Sequence, residues 1–284
     1  MTVRTQDVQF PSDGVSCAAT LYLPPNGPPA PVMGNGFANV RQMYLPEYAE
    51  AFAVAGLAVL VIDYRFFGES GGEPRQQVLP ESQCDDLRNA LTWLSEQSGV
   101  DPDRLGLWGT SFSGGHVMRI AAYDRRVKAV VAQVPAIGLW RYLRRSEPAA
   151  REAFLAKALA RRMDFARTGT PSMIAITGPD ATESVLGAEG YDWHRSNEQR
   201  HPTFHNAITA ASLDRIVAYD PGGSVEDISP SALLMILADH DTTTPSDVAR
   251  AAFGRAGQPS SSWSSLATTT MCMTTRLSSS RASR

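Results

Sequence analysis

The chain has 284 residues, of which 43% are hydrophobic and 19% are charged. This composition suits one large globular domain, or a domain with an inserted cap. The formal net charge of −3 includes no basic excess, which argues against a nucleic-acid partner and against an anionic membrane. The three cysteines are far apart and form no CxxC pair, so we expect reduced thiols in a cytoplasmic protein rather than disulfides or a cysteine zinc site.

The sequence contains no targeting or membrane-spanning pattern. The first ten residues, MTVRTQDVQF, lack a basic start followed by an apolar core, so we expect no signal peptide. The longest apolar run, residues 51–62, is too short to span a bilayer. We therefore expect no membrane partner.

The first part of the chain alternates between predicted strands and helices. Two early strands are predicted over residues 3–10 and 16–23, and a third over 30–36 enters a glycine-rich loop. A helix over residues 45–56 ends at a glycine. The near-continuous apolar run 57–64 is typical of a parallel strand that is buried on both faces.

The alternation of predicted strands and helices continues to residue 137 and resumes after residue 228. It predicts a helix over residues 85–97, strands over 104–110, 127–135 and 232–239, and helices from residue 112 and near 246–256. Repeated strand–helix units predict an α/β fold with a mostly parallel twisted sheet and helices on both faces. We assign residues 1–137 and 229–258 to this core.

Residues 138–228 interrupt the rhythm and are rich in helix formers and aromatic residues. Because the segment lies between two predicted sheet strands, we expect a helical cap over the carboxyl ends of the strands, where ligands bind in open α/β sheets. Trp140, Tyr142 and Trp193 are candidate substrate-binding residues. The alternative is that these aromatic side chains only pack the cap onto the core.

The stretch GLWGTSFSGG (106–115) is the sharpest functional signal. It places Ser111 between a predicted apolar strand and a predicted helix, within the pattern Gly109-x-Ser111-x-Ser113-Gly114. This context is typical of a nucleophile elbow, a tight bend that presents a serine hydroxyl above the sheet. The backbone N–H of Phe112 would stabilise an oxyanion there. A serine in an ordinary strand–helix loop is the alternative.

Two further site positions follow from the same reasoning. The glycine-rich loop 34–40 is well placed for a second oxyanion donor, for which we choose the N–H of Phe37, with Ala38 as the alternative. A triad acid should follow the serine at the end of a later strand. Strand alternation favours Asp241 over Asp239, which would cap the turn.

Together these residues resemble the α/β-hydrolase fold superfamily, nearest to the dienelactone-hydrolase and X-prolyl-peptidase-like esterases. The resemblance covers residues 1 to about 258 and rests on GNGFANVRQMYLPEYAEAFAVAG, VLVIDYRFFGESGG, WGTSFSGGHV and ALLMILADHDTTTP. It implies Ser111 as nucleophile, Asp241 as acid, and no metal or organic cofactor. Asp63 and Arg65 would brace loops around the site. Asn35 stands where relatives often have a histidine.

The resemblance also implies a catalytic histidine after the last strand, but no histidine follows His240. We expect His116 to be a packed helix residue. The cap is expected to contain His194, His201 and His205. His205 and His240 are the first alternatives for a base. Without a base a serine hydroxyl is a poor nucleophile, because triad members act as a unit.

The tail, residues 259–284, is rich in Ser, Thr and Arg. It is either a natural disordered terminus or out of frame from about residue 260. Regrouping the bases from the last base of Ser262 can read LVVARDDHYVYDDEA, an apolar strand followed by a histidine at position 270. In both cases we expect the last strand and helix of the fold to be lost or altered, which leaves an unpaired sheet edge and an exposed apolar face.

These observations predict a serine hydrolase that cleaves ester, thioester or related acyl bonds through an acyl-enzyme on Ser111, with the cap selecting the acyl group. The missing histidine predicts little activity for the chain as written. The alternatives are an acyltransferase, for instance in natural-product biosynthesis, and a non-catalytic small-molecule binding protein on the same fold. The expected partner is a small-molecule acyl substrate, and a homodimer is an open alternative to a monomer.

Overall fold

The computed structural model describes residues 3–24, 29–180 and 183–265. Its strands in chain order are β1 (Arg4–Ser12), β2 (Val15–Leu23), β3 (Ala30–Gly34), β4 (Val59–Ile62), β5 (Leu105–Thr110), β6 (Val127–Gln133), β7 (Met173–Ala175), β8 (Ala207–Thr209), β9 (Ala232–Ala238) and β10 (Ser260–Ser265). Eight of them form one sheet in the order β1-β2-β4-β3-β5-β6-β9-β10. The strands β1 and β2 form an antiparallel hairpin, β2 pairs antiparallel with β4, and all remaining neighbours in this sheet are parallel.

The helices are α1 (Leu45–Val54), α2 (Pro80–Ser95), α3 (Phe112–Tyr123), α4 (Leu139–Leu143), α5 (Pro148–Thr168), α6 (Tyr191–Arg200), α7 (Ser212–Ala218) and α8 (Ser246–Phe253). A 3₁₀ segment, Pro221–Ile228, follows α7. Within the described residues, none of these helices has the length and apolar character needed to cross a membrane.

Alternating side chains of the central strands enter two separate cores, because successive residues of a strand point to opposite faces of the sheet. In β4, Leu60 and Ile62 pack into a large core with residues of α2 and α3. Val59 and Val61 point the other way, into a second core with α1. Helices therefore cover both faces of the sheet, as the fully apolar sequence of β4 predicts.

The segment between β6 and β9 contains α4 to α7, but it is not purely helical. The strands β7 and β8 pair antiparallel in a small sheet of their own, which the sequence analysis did not predict. The 3₁₀ segment packs against α3, where the hydroxyls of Tyr123 and Ser224 lie 2.5 Å apart. The division of the chain into a core and a cap stays a prediction.

The expectation that the last strand is lost is wrong. Residues 260–265 form β10, which pairs parallel to β9 and places Trp263 beside Ile236. The strand is altered in composition, since five of its six residues are serines and Trp263 is 60% exposed. The sheet therefore continues past the predicted core boundary at residue 258. The expected loss or alteration of the final helix, and the histidine of the shifted frame, concern residues outside the described ranges.

One face of the sheet carries an apolar groove of about 480 Å³ next to α1. Phe52 and Leu57 contribute from the region of α1, and Ala129 and Val131 contribute from β6. In the described part of the chain, α1 is the helix beside this groove. The exposed apolar face expected from an altered C-terminal region stays a prediction.

Candidate active site

Ser111 lies at a sharp bend between β5 and α3. Its backbone adopts φ 53° and ψ −114°, a region that non-glycine residues rarely occupy. The N–H of Ser111 donates to the Gln133 carbonyl at 2.8 Å, and its carbonyl accepts the N–H of Ala136 at 2.9 Å. Because both hydrogen bonds anchor the bend to the end of β6, the surrounding structure holds Ser111 in this strained conformation.

Glycines make room for the bend. A Cβ atom at Gly109 would lie 2.2 Å from the backbone oxygen of Ser113, and one at Gly114 would lie 2.9 Å from Cα of Pro135. No side chain fits at either position without moving the backbone. The small residues that the sequence places two before and three after Ser111 are therefore required by close packing of the turn.

Ser111 opens into a small cavity of about 100 Å³. The described residues that line it are Phe37, Ser111, Phe112, Ala136, Gly138, Leu139, Tyr142, Val185, Leu186, Ile216, Tyr219, Thr243 and Thr244. Most of these side chains are apolar, so the cavity suits an apolar group next to the Ser111 hydroxyl.

The two residues predicted as oxyanion donors are neighbours in this cavity. The rings of Phe37 and Phe112 meet edge to face with centroids 5.2 Å apart. Phe112 is the first residue of α3, so its N–H has no carbonyl within the helix to bond. Phe37 and Ala38 are the central residues of a turn that the N–H of Asn39 closes onto the Gly36 carbonyl at 3.2 Å. The choice between Phe37 and Ala38 stays open.

The loop after β9 buries Asp241 and exposes Asp239. Oδ1 of Asp241 accepts the N–H groups of Thr243 at 3.0 Å and Thr244 at 2.8 Å, and Oδ2 accepts the Thr244 hydroxyl at 2.7 Å. Asp239 forms an ion pair with Arg250 on α8. Thr243 and Thr244 line the cavity of Ser111, whereas Asp239 is exposed, and the choice of Asp241 as the triad acid stays a prediction.

His116 is a buried helix residue, as the sequence analysis expects. Its Nδ1 lies 2.8 Å from the Tyr219 hydroxyl, and its Nε2 lies 3.0 Å from Oε1 of Gln83. Burial lowers the pKa of His116 from its usual 6.5 to about 3, and the neighbouring Arg119 acts in the same direction. Both ring nitrogens are engaged, so His116 is not placed to take a proton from Ser111.

The remaining histidines lie elsewhere as well. His194 is buried on α6, where its Nδ1 contacts the Gly190 carbonyl at 3.0 Å and its ring packs on Trp193. His201 is half-buried, and His205 and His240 are exposed. The described residues that line the cavity of Ser111 include no histidine. None of the alternatives considered for the base is therefore supported by this geometry.

The three predicted substrate-binding aromatics separate in the structure. Tyr142 lines the cavity of Ser111, and its hydroxyl accepts the N–H of Ile137 at 3.2 Å. Trp140 is 40% exposed and lines a different, arginine-rich cleft between α4 and α8. Trp193 packs against Tyr44 with ring centroids 5.8 Å apart. The packing alternative fits Trp193, and of the three aromatic residues only Tyr142 lines the cavity of Ser111.

Several lining residues escaped the sequence analysis. Val185, Leu186, Ile216 and Tyr219 reach the cavity from the segment between β6 and β9. Nothing in their local sequence marks them, because their role comes from long-range packing of that segment. Thr243 and Thr244 carried a usable signal, since they directly follow the predicted acid.

Asp63 and Arg65 brace loops, as the resemblance implies. Asp63 is fully buried and accepts the backbone N–H of Arg41 at 2.7 Å and that of Glu69 at 3.1 Å. Its carboxylate also pairs with the Arg41 guanidinium at 2.5 Å. Arg65 pairs with Asp86 at 2.7 Å. In the residues that the structure describes, no group of three His, Cys, Asp or Glu side chains is placed to hold a metal ion.

Comparison with known proteins agrees with the predicted fold. Residues 13–214 match the model of the X-Pro dipeptidyl-peptidase family, S15. The chain belongs to this family. The S15 chain also superimposes on the solved α/β hydrolase GrgF from Penicillium sp. sh18 with a TM-score of 0.80 at 25% identity, over 92% of this chain and 89% of GrgF. The predicted α/β-hydrolase fold is thereby confirmed.

The names of two relatives of this S15-family protein state an activity. It is 32% identical over 243 residues to the quorum-quenching protein AidA of Acinetobacter baumannii (strain MDR-ZJ06), covering 84% of this chain and 80% of AidA. It is 31% identical over 240 residues to the thiohydrolase aneE of Aspergillus aculeatus (strain ATCC 16872 / CBS 172.66 / WB 5094), covering 82% of this chain and 76% of aneE. The predicted class, a hydrolase of the α/β-hydrolase type, is confirmed.

Proposed function

We propose that this S15-family member is a serine hydrolase that opens ester, thioester or related acyl bonds through an acyl-enzyme on Ser111. One observation carries the proposal: Ser111 stands at φ 53° on the bend before α3, with its side chain in an apolar cavity. Backbone strain of this kind clusters at catalytic positions, where it presents a reacting atom. The buried carboxylate of Asp241 behind Thr244 supports the assignment of the acid.

The reaction proceeds in two steps. The Ser111 oxygen attacks the acyl carbon, an O–C bond forms, and the former carbonyl oxygen takes the negative charge. The N–H of Phe112 and one from Phe37 or Ala38 then stabilise that oxyanion. The bond to the leaving alcohol or thiol breaks, and the leaving group takes up the proton that Ser111 gave to the base. Water then releases the carboxylic acid and restores Ser111.

The base is the part of this mechanism that the printed sequence lacks. We propose that it is the histidine at position 270 of the shifted reading frame, oriented by Asp241. Sequencing of the gene tests this directly. A tail confirmed in frame would remove the proposed base and leave the chain as a member of the family with impaired catalysis.

The cavity lining supports an apolar acyl group as the substrate. Leu139, Tyr142, Val185 and Leu186 come from the segment between β6 and β9, which acts in this proposal as the cap that selects the acyl chain. The thiohydrolase aneE is a relative, so thioesters are the first substrates to test. Trp140 and Trp193 have no part in this substrate-binding proposal.

Acyl transfer to an alcohol or amine is the second candidate, and the polarity of the cavity favours it. Among the polar lining groups, the Tyr142 hydroxyl is engaged by Ile137 and the Tyr219 hydroxyl by His116. Most of the described lining residues are apolar, so an attacking water molecule would meet mainly apolar side chains there. An organic acceptor that brings its own apolar contacts would then compete well with water.

The experiment compares the chain as printed with the chain that carries the shifted-frame tail. Both are incubated with a fluorophosphonate probe and with short p-nitrophenyl esters and acyl thioesters. We expect labelling at Ser111 and turnover in the shifted-frame chain, and loss of both in Ser111→Ala. Product analysis with added alcohols and amines separates hydrolysis from transfer. Binding without labelling or turnover in either chain would favour the non-catalytic binding protein.

Two further expectations belong to the proposal. Cys17 and Cys84 are buried free thiols, which supports a reducing compartment such as the cytoplasm. Homodimer formation stays a prediction, and light scattering tests it through the molar mass in solution.

A further inference from the structure

Ser113 takes the place of a glycine in the elbow pattern, and its hydroxyl is fully buried. The Ser113 hydroxyl contacts the carbonyl oxygen of Asn35 and lies 2.6 Å from the hydroxyl of Tyr64. A carbonyl can only accept, so Ser113 donates its proton to Asn35. The Ser113 oxygen therefore accepts a hydrogen bond from the Tyr64 hydroxyl. The hydrogen bonds run in one direction, from Tyr64 to Ser113 to the Asn35 carbonyl.

The protonation state of Tyr64 and the space beside Gly34 preserve the direction of these hydrogen bonds. Burial raises the pKa of Tyr64 well above its usual value of 10, so its hydroxyl keeps its proton and remains a donor. Gly34 provides the necessary space, since a Cβ atom there would lie 2.5 Å from the Tyr64 oxygen and 3.0 Å from that of Ser113. The strand end, the elbow helix and Tyr64 are therefore packed around a single hydroxyl.

The Asn35–Gly36 peptide is held at both ends. Its carbonyl accepts from Ser113 on α3, and its N–H donates to the Tyr44 hydroxyl at 2.9 Å. A peptide group is planar, so these two hydrogen bonds fix its orientation. The turn that begins at Gly36 follows immediately and contains Phe37 and Ala38.

We propose that Ser113 and Tyr64 are positioning residues that hold the 35–38 loop in register with the first turn of α3. The inference rests on the proposed function, in which one oxyanion donor comes from the 35–38 loop and the other is Phe112. Ser113 is the next residue along α3 from Phe112, so one buried hydroxyl joins the two donor-bearing segments. Misplacement of such donors by a fraction of an ångström weakens transition-state binding without changing the apolar pocket.

The first test is amide hydrogen exchange on the chain as it exists, which does not depend on reactivity. Ser113→Ala and Tyr64→Phe are compared with Ser231→Ala, a buried serine whose hydroxyl donates to the Val127 carbonyl at 2.6 Å far from the loop. We expect the amides of residues 36–38 to exchange about tenfold faster in Ser113→Ala and Tyr64→Phe. In the control, Ser231→Ala, their exchange rates should be unchanged. Unchanged exchange in both Ser113→Ala and Tyr64→Phe, with the folds intact, would overturn the proposal.

The second test separates positioning from a general structural role. Labelling of Ser111 by a fluorophosphonate is followed at several probe concentrations, which yields the maximal rate and the half-saturating concentration. We expect Ser113→Ala to lower the maximal rate by about tenfold and to leave half-saturation within about twofold, because the donors act on the charged transition state. A change in half-saturation alone would contradict the positioning role.

These measurements distinguish failure of the proposed hydrolase function from failure of the positioning role of Ser113 and Tyr64. If the unmodified chain and the shifted-frame chain both fail to label at Ser111, the proposed function fails, and hydrogen exchange alone decides whether Ser113 holds the loop. If labelling occurs at equal maximal rates in Ser113→Ala, Tyr64→Phe and Ser231→Ala, the proposed function stands and the positioning role is overturned.

Discussion

The side chain of Asp241 receives two hydrogen bonds from the single residue Thr244, one from the N–H at 2.8 Å and one from the hydroxyl at 2.7 Å. The two hydrogen bonds fix the orientation of the Asp241 carboxylate, in a loop that borders the cavity of Ser111. The sequence Asp-Thr-Thr-Thr therefore encodes a buried carboxylate together with a residue that orients it.

Thr244→Val should destabilise the protein. The variant keeps the shape of the side chain but removes a hydrogen bond to a buried carboxylate, a loss that costs about 1.5–3 kcal/mol. Urea unfolding measures the change in free energy of unfolding. Thr243→Val is the matched control, since Thr243 reaches Asp241 through its backbone N–H, and it should change stability by less. Equal losses in the two variants would show that the Thr244 hydroxyl stabilises the fold no more than the Thr243 hydroxyl does.

Replacement of Ser111 should reveal the strain of the elbow. Glycine adopts positive φ without steric cost, whereas alanine does not. Ser111→Gly should therefore be about 1 kcal/mol more stable than Ser111→Ala, although both abolish labelling. Thermal and urea unfolding of the two variants measure this difference. Equal stabilities would mean that the φ of 53° at this position is not strained.

Stability should depend on pH through His116. Its pKa of about 3 in the folded protein lies below its usual 6.5, so the unfolded chain binds the extra proton first as the pH falls. The contribution of His116 to stability is then lost by up to about 1.4 kcal/mol per pH unit from pH 6.5 down towards pH 3, and this contribution changes no further below that. His116→Gln should flatten the slope of unfolding free energy against pH between 6.5 and 4.5.

A larger side chain in the cavity should change which acyl groups are accepted. The cavity has a volume of only about 100 Å³, and Leu186 lines it. Leu186→Trp should slow labelling by a long-chain alkyl fluorophosphonate about tenfold and leave a methyl analogue nearly unaffected. The measurement is the ratio of the two labelling rates in the shifted-frame chain. Leu159→Trp, on the exposed side of α5, should leave that ratio unchanged.

The tail of the shifted frame should restore activity to the chain. With a histidine at position 270, oriented by Asp241, the Ser111 hydroxyl gains a base, and the gain in turnover should reach at least about a hundredfold. Ester hydrolysis by the two forms of the chain measures it. Replacement of that histidine by alanine is the control and should return turnover to the level of the printed chain.

The parts of the fold that were predictable are those encoded by neighbouring residues. The run Val59–Ile62 is apolar throughout because both faces of β4 are buried, and the bend at Ser111 is encoded by the glycines that pack against it. These signals span a few residues, so they are visible without knowledge of the rest of the chain.

The remaining parts depend on contacts between distant residues. Tyr219 reaches the cavity only because the segment between β6 and β9 folds back over Ser111, and no local pattern marks that path. The serines of β10 have low intrinsic preference for a strand, but the parallel partner β9 supplies hydrogen bonds along its whole length. Pairing outweighs local preference there, which is why the expected loss of that strand was wrong.

The position of β10 also bears on assembly. In the part of the chain that the structure describes, β10 has β9 on one side and no strand on the other. Its far side therefore presents a row of backbone donors and acceptors, and the small side chains of its serines offer little obstruction. A second molecule related by a two-fold axis would bring its own β10 alongside in the antiparallel direction. The two sheets would then continue into each other, and the cavities of Ser111 would open at opposite ends of the joined surface.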